Sequence, residues 1–131
     1  MKNAERESDA NQAARRGRDI ADRTFQFAKR VVAVARAMPR DPAAATIARQ
    51  VIRSGTSVGA NVEEAEAAHS KAEFIQKVNL ARKEARETLY WLRLIGDCGM
   101  LRTSRLRNLI AEANEIVCIL TAIVRNARKI S

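Results

Sequence analysis

Hydrophobic side chains recur at helical spacing in four successive stretches of the chain. The first stretch carries them at Ile20, Phe27, Val31, Val34 and Met38. Intervals of three, four and seven residues place such positions on one face of an α-helix. The proline after Met38 disfavours helical backbone for the residue before it, so the pattern predicts a first helix that ends at Met38.

Two further helices carry start signals as well as the apolar pattern. Asp41 offers an N-cap with Pro42 at the first helical position. The segment 70–73, Ser-Lys-Ala-Glu, has the form of a capping box that opens the next helix. Gly96 and Gly99 are expected to end that third helix. The apolar positions are Ile47, Val51, Val58, Val62 and Ala65 in the second helix, and Phe74, Val78, Ala81, Ala85, Leu89, Leu92 and Ile95 in the third.

A fourth helix, capped by Thr103 or Ser104, completes the pattern. Its apolar face consists of Leu106, Leu109, Ile110, Ala113, Val117, Leu120, Val124 and Ala127. Four amphipathic helices joined by connections of roughly four to eight residues are expected to pack antiparallel to their neighbours. The sequence therefore predicts an all-α fold, an up-down-up-down antiparallel four-helix bundle.

The chain begins with a polar leader. Residues 1–18 mix basic and acidic side chains, and only alanines and Met1 offer apolar surface there. A segment of this kind buries too little apolar surface to offset the entropy lost on ordering. We therefore predict a disordered or frayed leader over residues 1–18 and a four-helix bundle domain over residues 19–131.

More apolar side chains are present than one bundle requires. On a helical wheel those outside the core arc are Phe25 and Val32 on the first helix, Leu80, Trp91 and Leu94 on the third, and Ile116, Ile119 and Ile123 on the fourth. In a monomer such a patch would mark a binding surface, which favours self-association with Trp91 as the natural anchor. The alternative is that tilting of the helices hides these side chains in one wide core.

A polar stripe follows one side of the second helix. It consists of Gln50, Arg53, Ser57, Asn61 and Glu64, at intervals of three and four residues. A hydrogen-bond network that sets the register, a partner site and an ordinary solvated face all fit this spacing. The same helix holds Gly55 and Gly59, each of which costs about 1 kcal/mol relative to alanine. Their presence indicates close approach of another backbone, within the bundle or between subunits.

Two parts of this sequence resemble a known family. Residues 50–64 read QVIRSGTSVGANVEE and are followed by SKAEF at 70–74, while residues 83–92 read KEARETLYWL. They resemble the four-helix-bundle proteins related to those encoded in intervening sequences of bacterial 23S ribosomal RNA. The resemblance covers residues 25–101 well, and the fourth helix by pattern alone. The usual Asn-Ile-Ala-Glu-Gly of the family reads Asn-Val-Glu-Glu-Ala here, at residues 61–65, without the glycine.

The resemblance implies an assembly as well as a fold. It implies an up-down bundle, a ring-like homo-oligomer (pentamers occur in the family) and no known enzymatic activity. It also implies kinship with the basic accessory proteins of diversity-generating retroelements, which associate with nucleic acid and a reverse transcriptase.

The net charge points to a polyanionic partner. The chain carries 24 Lys or Arg against 15 Asp or Glu, a formal charge of +9, which favours nucleic acid, an acidic protein or an anionic membrane surface. Basic side chains neutralise phosphates, while Tyr90 would stack on an unpaired base. The predicted nucleic-acid-binding residues are Arg82, Lys83, Arg86, Tyr90, Arg93, Arg125, Arg128 and Lys129. The alternative is a solvated face on which Glu84 and Glu87 pair with the neighbouring arginines.

Residues suited to catalysis are few. His69 is the single histidine, which makes a poor metal site, and Cys98 and Cys118 read as free thiols in a reducing compartment. We therefore predict no enzyme, no metal and no cofactor. No secretory signal opens the chain, and no apolar run approaches the ~20 residues of a membrane span, so we expect a cytoplasmic protein without a membrane partner.

Two functional hypotheses follow. The leading one is a non-enzymatic homo-oligomer, with a pentamer favoured, that binds RNA or DNA through its basic surface. The alternative is a protein-interaction scaffold or accessory subunit with no nucleic-acid role, in which the polar stripe holds the oligomer or a protein partner. Arg53→Ala should break the assembly under the second hypothesis, whereas Arg86→Ala should weaken nucleic-acid binding under the first.

Overall fold

Four α-helices account for almost all of the residues that the structure describes. The computed structural model describes residues 2–129. The helices are α1 (Lys2–Ala37), α2 (Pro42–Glu66), α3 (Lys71–Asp97) and α4 (Thr103–Lys129). Residues 2–129 contain no β-strand. The prediction of an all-α fold with four helices is confirmed.

The predicted caps set the starts of α2 and α3. Asp41 Oδ1 accepts a hydrogen bond from the backbone N–H of Ala44 at 2.9 Å. Ser70 Oγ accepts one from the N–H of Glu73 at 3.1 Å, and Glu73 Oε2 accepts one in return from the N–H of His69. These bonds satisfy N–H groups that the first turn of a helix leaves without a partner.

The structure differs from the prediction for the leader. Residues 2–18 are helical and continue into the rest of α1 without a break. Alanine, arginine, glutamate and glutamine favour helix, and no proline interrupts them, so the local preference extends the helix although little apolar surface is buried. The described residues between 4 and 18 are exposed apart from Gly17. They add nothing to the core, and the domain boundary after residue 18 stays a prediction.

Each helix packs against the next one along the chain, and α1 also contacts α4. In the α1–α2 pair, Thr24 lies against Gly59 and Val31 lies against Gly55. Advancing along α1 therefore means moving back along α2, so these two helices run antiparallel. The up-down-up-down order of all four helices fits this packing and stays a prediction.

The core is apolar, with three buried hydroxyl groups that have hydrogen-bond partners. Thr24 Oγ1 donates to the carbonyl oxygen of Ile20, and Ser54 Oγ and Thr88 Oγ1 lie 2.8 Å apart across the α2–α3 interface. Buried polar groups cost free energy unless they are hydrogen-bonded, so the Ser54–Thr88 pair fixes the register of these two helices. The largest side chains with almost no exposure are Phe27, Leu92, Ile95, Leu106, Ile116 and Leu120.

The excess of apolar side chains is smaller than the sequence indicated. Ile116 is fully buried, and Ile119 and Ile123 pack against the core, so the fourth-helix part of that expectation is wrong. The reason is that α4 contacts both α3 and α1, which widens the face that it buries. Trp91 is half-buried against the core as well. Exposed apolar side chains remain at Phe25 (60%), Ile52 (38%), Leu80 (38%) and Tyr90 (57%).

Candidate nucleic-acid interface

Most of the predicted nucleic-acid-binding side chains are exposed. Only Arg82 is half-buried. Tyr90 exposes 57% of its surface, and its ring meets that of Trp91 edge-on, with 5.0 Å between the centroids. This contact holds Tyr90 on one side and leaves much of the ring open to solvent. The exposed basic residues of the set are Lys83, Arg86, Arg93, Arg125, Arg128 and Lys129.

Part of the predicted set converges in one groove between α3 and α4. Arg82 of α3 lines it together with residues of the last turns of α4. The full lining is Arg82, Thr121, Val124, Arg125, Arg128 and Lys129. Thr121 and Val124 are the two lining residues outside the predicted set. Thr121 could have been found, because its place one turn before Arg125 puts both on one side of α4.

The remaining α3 residues continue the basic surface away from this groove. Lys83, Arg86, Tyr90 and Arg93 do not line it. Arg93 lies eleven residues after Arg82, a rise of about 16 Å along the helix axis. The basic surface therefore extends over about three turns of α3.

The glutamates of α3 do not neutralise its arginines. Arg53 of α2 donates to Glu84 Oε2 at 3.3 Å and also pairs with Glu87. Glu87 accepts a further hydrogen bond from Trp91 Nε1 at 3.0 Å. Both carboxylates are thus directed at the α2–α3 interface, so the alternative in which they pair with the third-helix arginines is wrong.

The glutamates of α4 are engaged in the same manner on its other side. Arg23 of α1 binds Glu112 in a bidentate manner, at 2.7 and 2.8 Å, and pairs with Glu115 at 3.0 Å. The hydrogen bond from Arg23 lowers the pKa of Glu112 although burial opposes the shift, and the bond to Glu112 raises the pKa of Arg23. Sequence reasoning missed this cluster because 89 positions separate Arg23 from Glu112.

The Arg23–Glu112 pair makes stability depend on pH in acid. The pKa of Glu112 in the folded state lies below its ordinary value of 4.5, so its contribution is complete above that value and is lost as the pH falls through the folded pKa. We expect Glu112→Gln to lower the free energy of unfolding by roughly 1 kcal/mol at pH 7 and to flatten its decline between pH 5 and 3. Urea unfolding at several pH values measures this. Asp19→Asn, at an exposed position of α1, is the control, and equal pH profiles for the two variants would contradict the assignment.

Acidic and basic side chains of α3 and α4 are therefore segregated. Five of the six acidic residues in these helices are engaged: Glu73 at the α3 cap, Glu84 and Glu87 on Arg53, and Glu112 and Glu115 on Arg23. The sixth, Asp97, ends α3. Among the side chains that the structure describes, the ion pairs involve Arg23 and Arg53, and none involves a basic residue of α3 or α4. The outer surface of this helix pair therefore carries uncompensated positive charge.

The polar stripe of α2 forms local bonds rather than an interlocked ladder. Arg53 Nε donates to Gln50 Oε1 at 3.1 Å. Ser57 Oγ and Asn61 Nδ2 donate to the backbone carbonyls of Arg53 and Ser57, and Glu64 is exposed. Arg53 is the stripe residue that contacts α3, by forming ion pairs with Glu84 and Glu87.

Arg53→Ala is expected to cost little stability. The side chain is 48% exposed, and pairs of this kind contribute less than about 1 kcal/mol. We expect the free energy of unfolding to fall by less than that, with the mass in solution unchanged, as measured by urea unfolding and by light scattering after size exclusion. Loss of assembly in this variant would instead favour the scaffold hypothesis. Arg49→Ala, on an exposed arginine of the same helix, is the matched control.

A separate apolar cavity of about 570 Å³ opens where α1 meets the other three helices. Ile20, Val62, Phe74 and Leu120 are among the residues that line it. Burial raises the pKa of Glu66 at its edge, and the neighbouring Glu63 raises it further.

No group of three or more His, Cys, Asp or Glu side chains among the described residues is placed to hold a metal ion. Cys98 and Cys118 are both free and exposed. None of the helices in the described range has the length and apolar character needed to cross a bilayer.

Comparison with known proteins gives the family. The model of the 23S rRNA-intervening sequence protein family matches residues 17–122. The chain belongs to this family. The resemblance drawn from residues 50–64 and 83–92 is thereby confirmed. No curated protein matches the chain.

A solved structure of the same kind supports the fold. A protein of unknown function of the S23 ribosomal protein family, from Bacteroides thetaiotaomicron VPI-5482, is 36% identical. The match covers 80% of this chain and 97% of that one, with a TM-score of 0.76. The family match from sequence and the similarity to this solved structure therefore support the same all-helical fold.

Proposed function

We propose that this protein is a non-enzymatic, homo-oligomeric nucleic-acid-binding protein whose binding surface is the basic outer side of α3 and α4. The observation that carries the proposal is the segregation of charge. Five of six carboxylates in these helices are engaged elsewhere, while Lys83, Arg86, Arg93 and Arg125 stay exposed. Cations without a carboxylate partner can neutralise the phosphates of a nucleic acid, and this binding is favourable because it releases condensed counterions.

An exposed aromatic ring within the basic surface favours single strands. Tyr90 lies between Arg86 and Arg93 on α3 and exposes 57% of its surface. Stacking of an unpaired base on such a ring contributes about 1–3 kcal/mol, and a duplex does not offer an unpaired base. We expect RNA, the nucleic acid of which single-stranded loops are most common, to bind more tightly than duplex DNA.

Homo-oligomerisation would repeat this surface. Phe25 and Ile52 are exposed on α1 and α2, helices that do not carry the basic surface, so self-association through them would leave α3 and α4 open. A pentamer, the state that the family resemblance implies, would display five copies and convert weak contacts into avidity.

The first experiment separates assembly from binding. Protein purified with and without nuclease is passed through size exclusion with light scattering, and its absorbance at 260 nm is followed. We expect one oligomeric mass in both preparations and nuclease-sensitive absorbance in the untreated one. Anisotropy of labelled single-stranded RNA, duplex RNA and duplex DNA near 0.15 M salt then gives affinities. No binding of any of them would refute the proposal.

The second candidate is a scaffold for a protein partner. It is favoured by the exposure of Phe25, since a large apolar side chain that is 60% exposed suits a protein contact. Phe25→Ser separates the two functions. If the nucleic-acid hypothesis holds, this variant should lose self-association in light scattering and keep its affinity for a short RNA. If the variant stays oligomeric, Phe25 is not needed for self-association, and a contact with another protein is favoured.

A further inference from the structure

The groove between α3 and α4 concentrates positive charge. It is lined by Arg82, Arg125, Arg128 and Lys129 from two helices, together with Thr121 and Val124, and by no carboxylate. Like charges held close together repel. An anion bound in the groove would attract all four cations and offset their mutual repulsion.

Arg82 provides an independent observation. Its side chain is half-buried, and its Nε atom has no hydrogen-bond partner among the described side chains and backbone although that atom is buried. Burying an N–H donor without a partner costs free energy, and the cost is larger for a charged group. Because Nε is closed off from solvent, a ligand in the groove would meet the terminal nitrogens of Arg82, and the lone Nε–H marks a guanidinium whose donors the described protein leaves incompletely satisfied.

The acceptor should be an oxyanion. The planar guanidinium of arginine offers parallel N–H donors that match the spacing of two oxygens on phosphate. Backbone amides cannot contribute here, because the groove lies at the C-terminal turns of α4, where the helix dipole disfavours an anion. Binding therefore depends on the side chains, and loss of any one of them should be measurable.

We propose that this groove is a phosphate-binding site in which the terminal nitrogens of the Arg82 guanidinium donate from α3 while Arg125 and Arg128 bind from α4. This proposal depends on the proposed nucleic-acid function in one respect only: the natural ligand would be a phosphate group of a bound strand. A free phosphate ion offers the same oxygens, so the site itself can be tested without nucleic acid.

The direct test follows the Arg82 Nε–H resonance by NMR while inorganic phosphate is added at constant ionic strength. We expect a saturable shift of this resonance, assigned by its absence from Arg82→Lys, and no comparable shift with chloride. Arg125→Ala should weaken phosphate affinity about tenfold, whereas Arg49→Ala, which removes the same charge from an exposed position of α2, should leave it unchanged. A resonance that does not move, or that moves alike with chloride, overturns the site, and so does equal weakening by the two alanine variants.

Oligonucleotides then identify the source of the phosphate. If the site holds a strand terminus, a 5′-phosphorylated RNA should bind more tightly than the same RNA with a 5′-hydroxyl, and Arg125→Ala should abolish the difference. If the site holds an internal phosphate, Arg125→Ala should weaken both RNAs equally.

The two proposals fail in different ways. Saturable phosphate binding at Arg82 without affinity for any nucleic acid would retain the site and refute the nucleic-acid function. RNA binding that needs Arg86 and Arg93 but shows no response of the Arg82 resonance to phosphate would do the reverse. Circular dichroism of Arg82→Lys and Arg125→Ala confirms that each variant is folded before either result is used.

Discussion

Replacing Arg86 and Arg93 by glutamate is expected to lower the affinity for single-stranded RNA by about 100-fold near physiological salt. Both arginines are exposed, and none of the ion pairs between described side chains involves them. Each change therefore removes a cation that is free to contact phosphate and adds a negative charge that repels it. Because the side chains lie on solvent, the fold should be unaffected.

The salt dependence of binding makes this prediction specific. A single strand contributes a slope of about −0.7 per neutralised phosphate in the plot of log affinity against log salt. Loss of two contacts should therefore reduce the steepness by about 1.4. Anisotropy of a labelled RNA, measured at several potassium chloride concentrations, gives both the affinity and the slope.

A matched double variant controls for net charge. Arg36→Glu combined with Arg49→Glu changes the formal charge by the same amount, at exposed positions of α1 and α2. We expect a much smaller loss of affinity and a nearly unchanged slope. If this control loses as much affinity as the α3 variant, the RNA responds to net charge rather than to the surface of α3 and α4, and the assignment of the interface is wrong.

Local chemistry made part of the fold predictable. The starts of α2 and α3 follow from Asp41 and Ser70, because a capping side chain acts on backbone groups within three residues of it. The end of α1 follows from Pro39, because a proline disfavours helical backbone for the residue before it. Where a feature depends on neighbours in sequence, reading the sequence was sufficient.

Features that depend on distant residues were not predictable. Glu84 and Glu87 lie at spacings that suit pairing with Lys83, Arg86 or an arginine of another helix, and only the register of α2 on α3 assigns them to Arg53. The contact between Arg23 and Glu112 depends in the same way on how α1 meets α4. The basic residues themselves were found from sequence, but their freedom from carboxylates required the packing of the helices.

The width of the core was misjudged for a related reason. A helical wheel assigns a buried arc to each helix as if it had one neighbour. Ile116 lies outside that arc and is nevertheless fully buried, since α4 contacts two helices. The prediction of a disordered or frayed leader differs from the structure for another reason. It gave the low apolar content of this segment more weight than its helix propensity.

Gly55→Val is expected to be the most damaging single change in the α1–α2 interface, with a loss of about 3 kcal/mol in the free energy of unfolding. A Cβ at Gly55 would lie 2.6 Å from Val31 Cγ1, 2.9 Å from Cγ2 and 3.0 Å from Cβ. Val31 is fully buried and branched at Cβ, so it has few rotamers with which to move aside. Urea unfolding gives the change in free energy.

The substitution at Gly55 also alters helix propensity, and two variants separate that from the clash. Ala60→Val places valine at an exposed position of the same helix and should cost only about 0.5 kcal/mol. Val31→Ala removes the methyl groups that the new side chain would meet, so the double variant should be more stable than Gly55→Val alone, although Val31→Ala by itself leaves a cavity and destabilises.

That sign reversal distinguishes close packing from other roles of the glycine. If Gly55 were needed only for backbone freedom or for contact with another subunit, Val31→Ala would destabilise the valine variant as much as it destabilises the natural protein. A coupling free energy near zero between positions 31 and 55 would therefore contradict the packing described here. A favourable coupling of about 1–3 kcal/mol would establish that α1 and α2 approach closely because residue 55 has no side chain. The sequence had left open whether that approach lies within the bundle or between subunits.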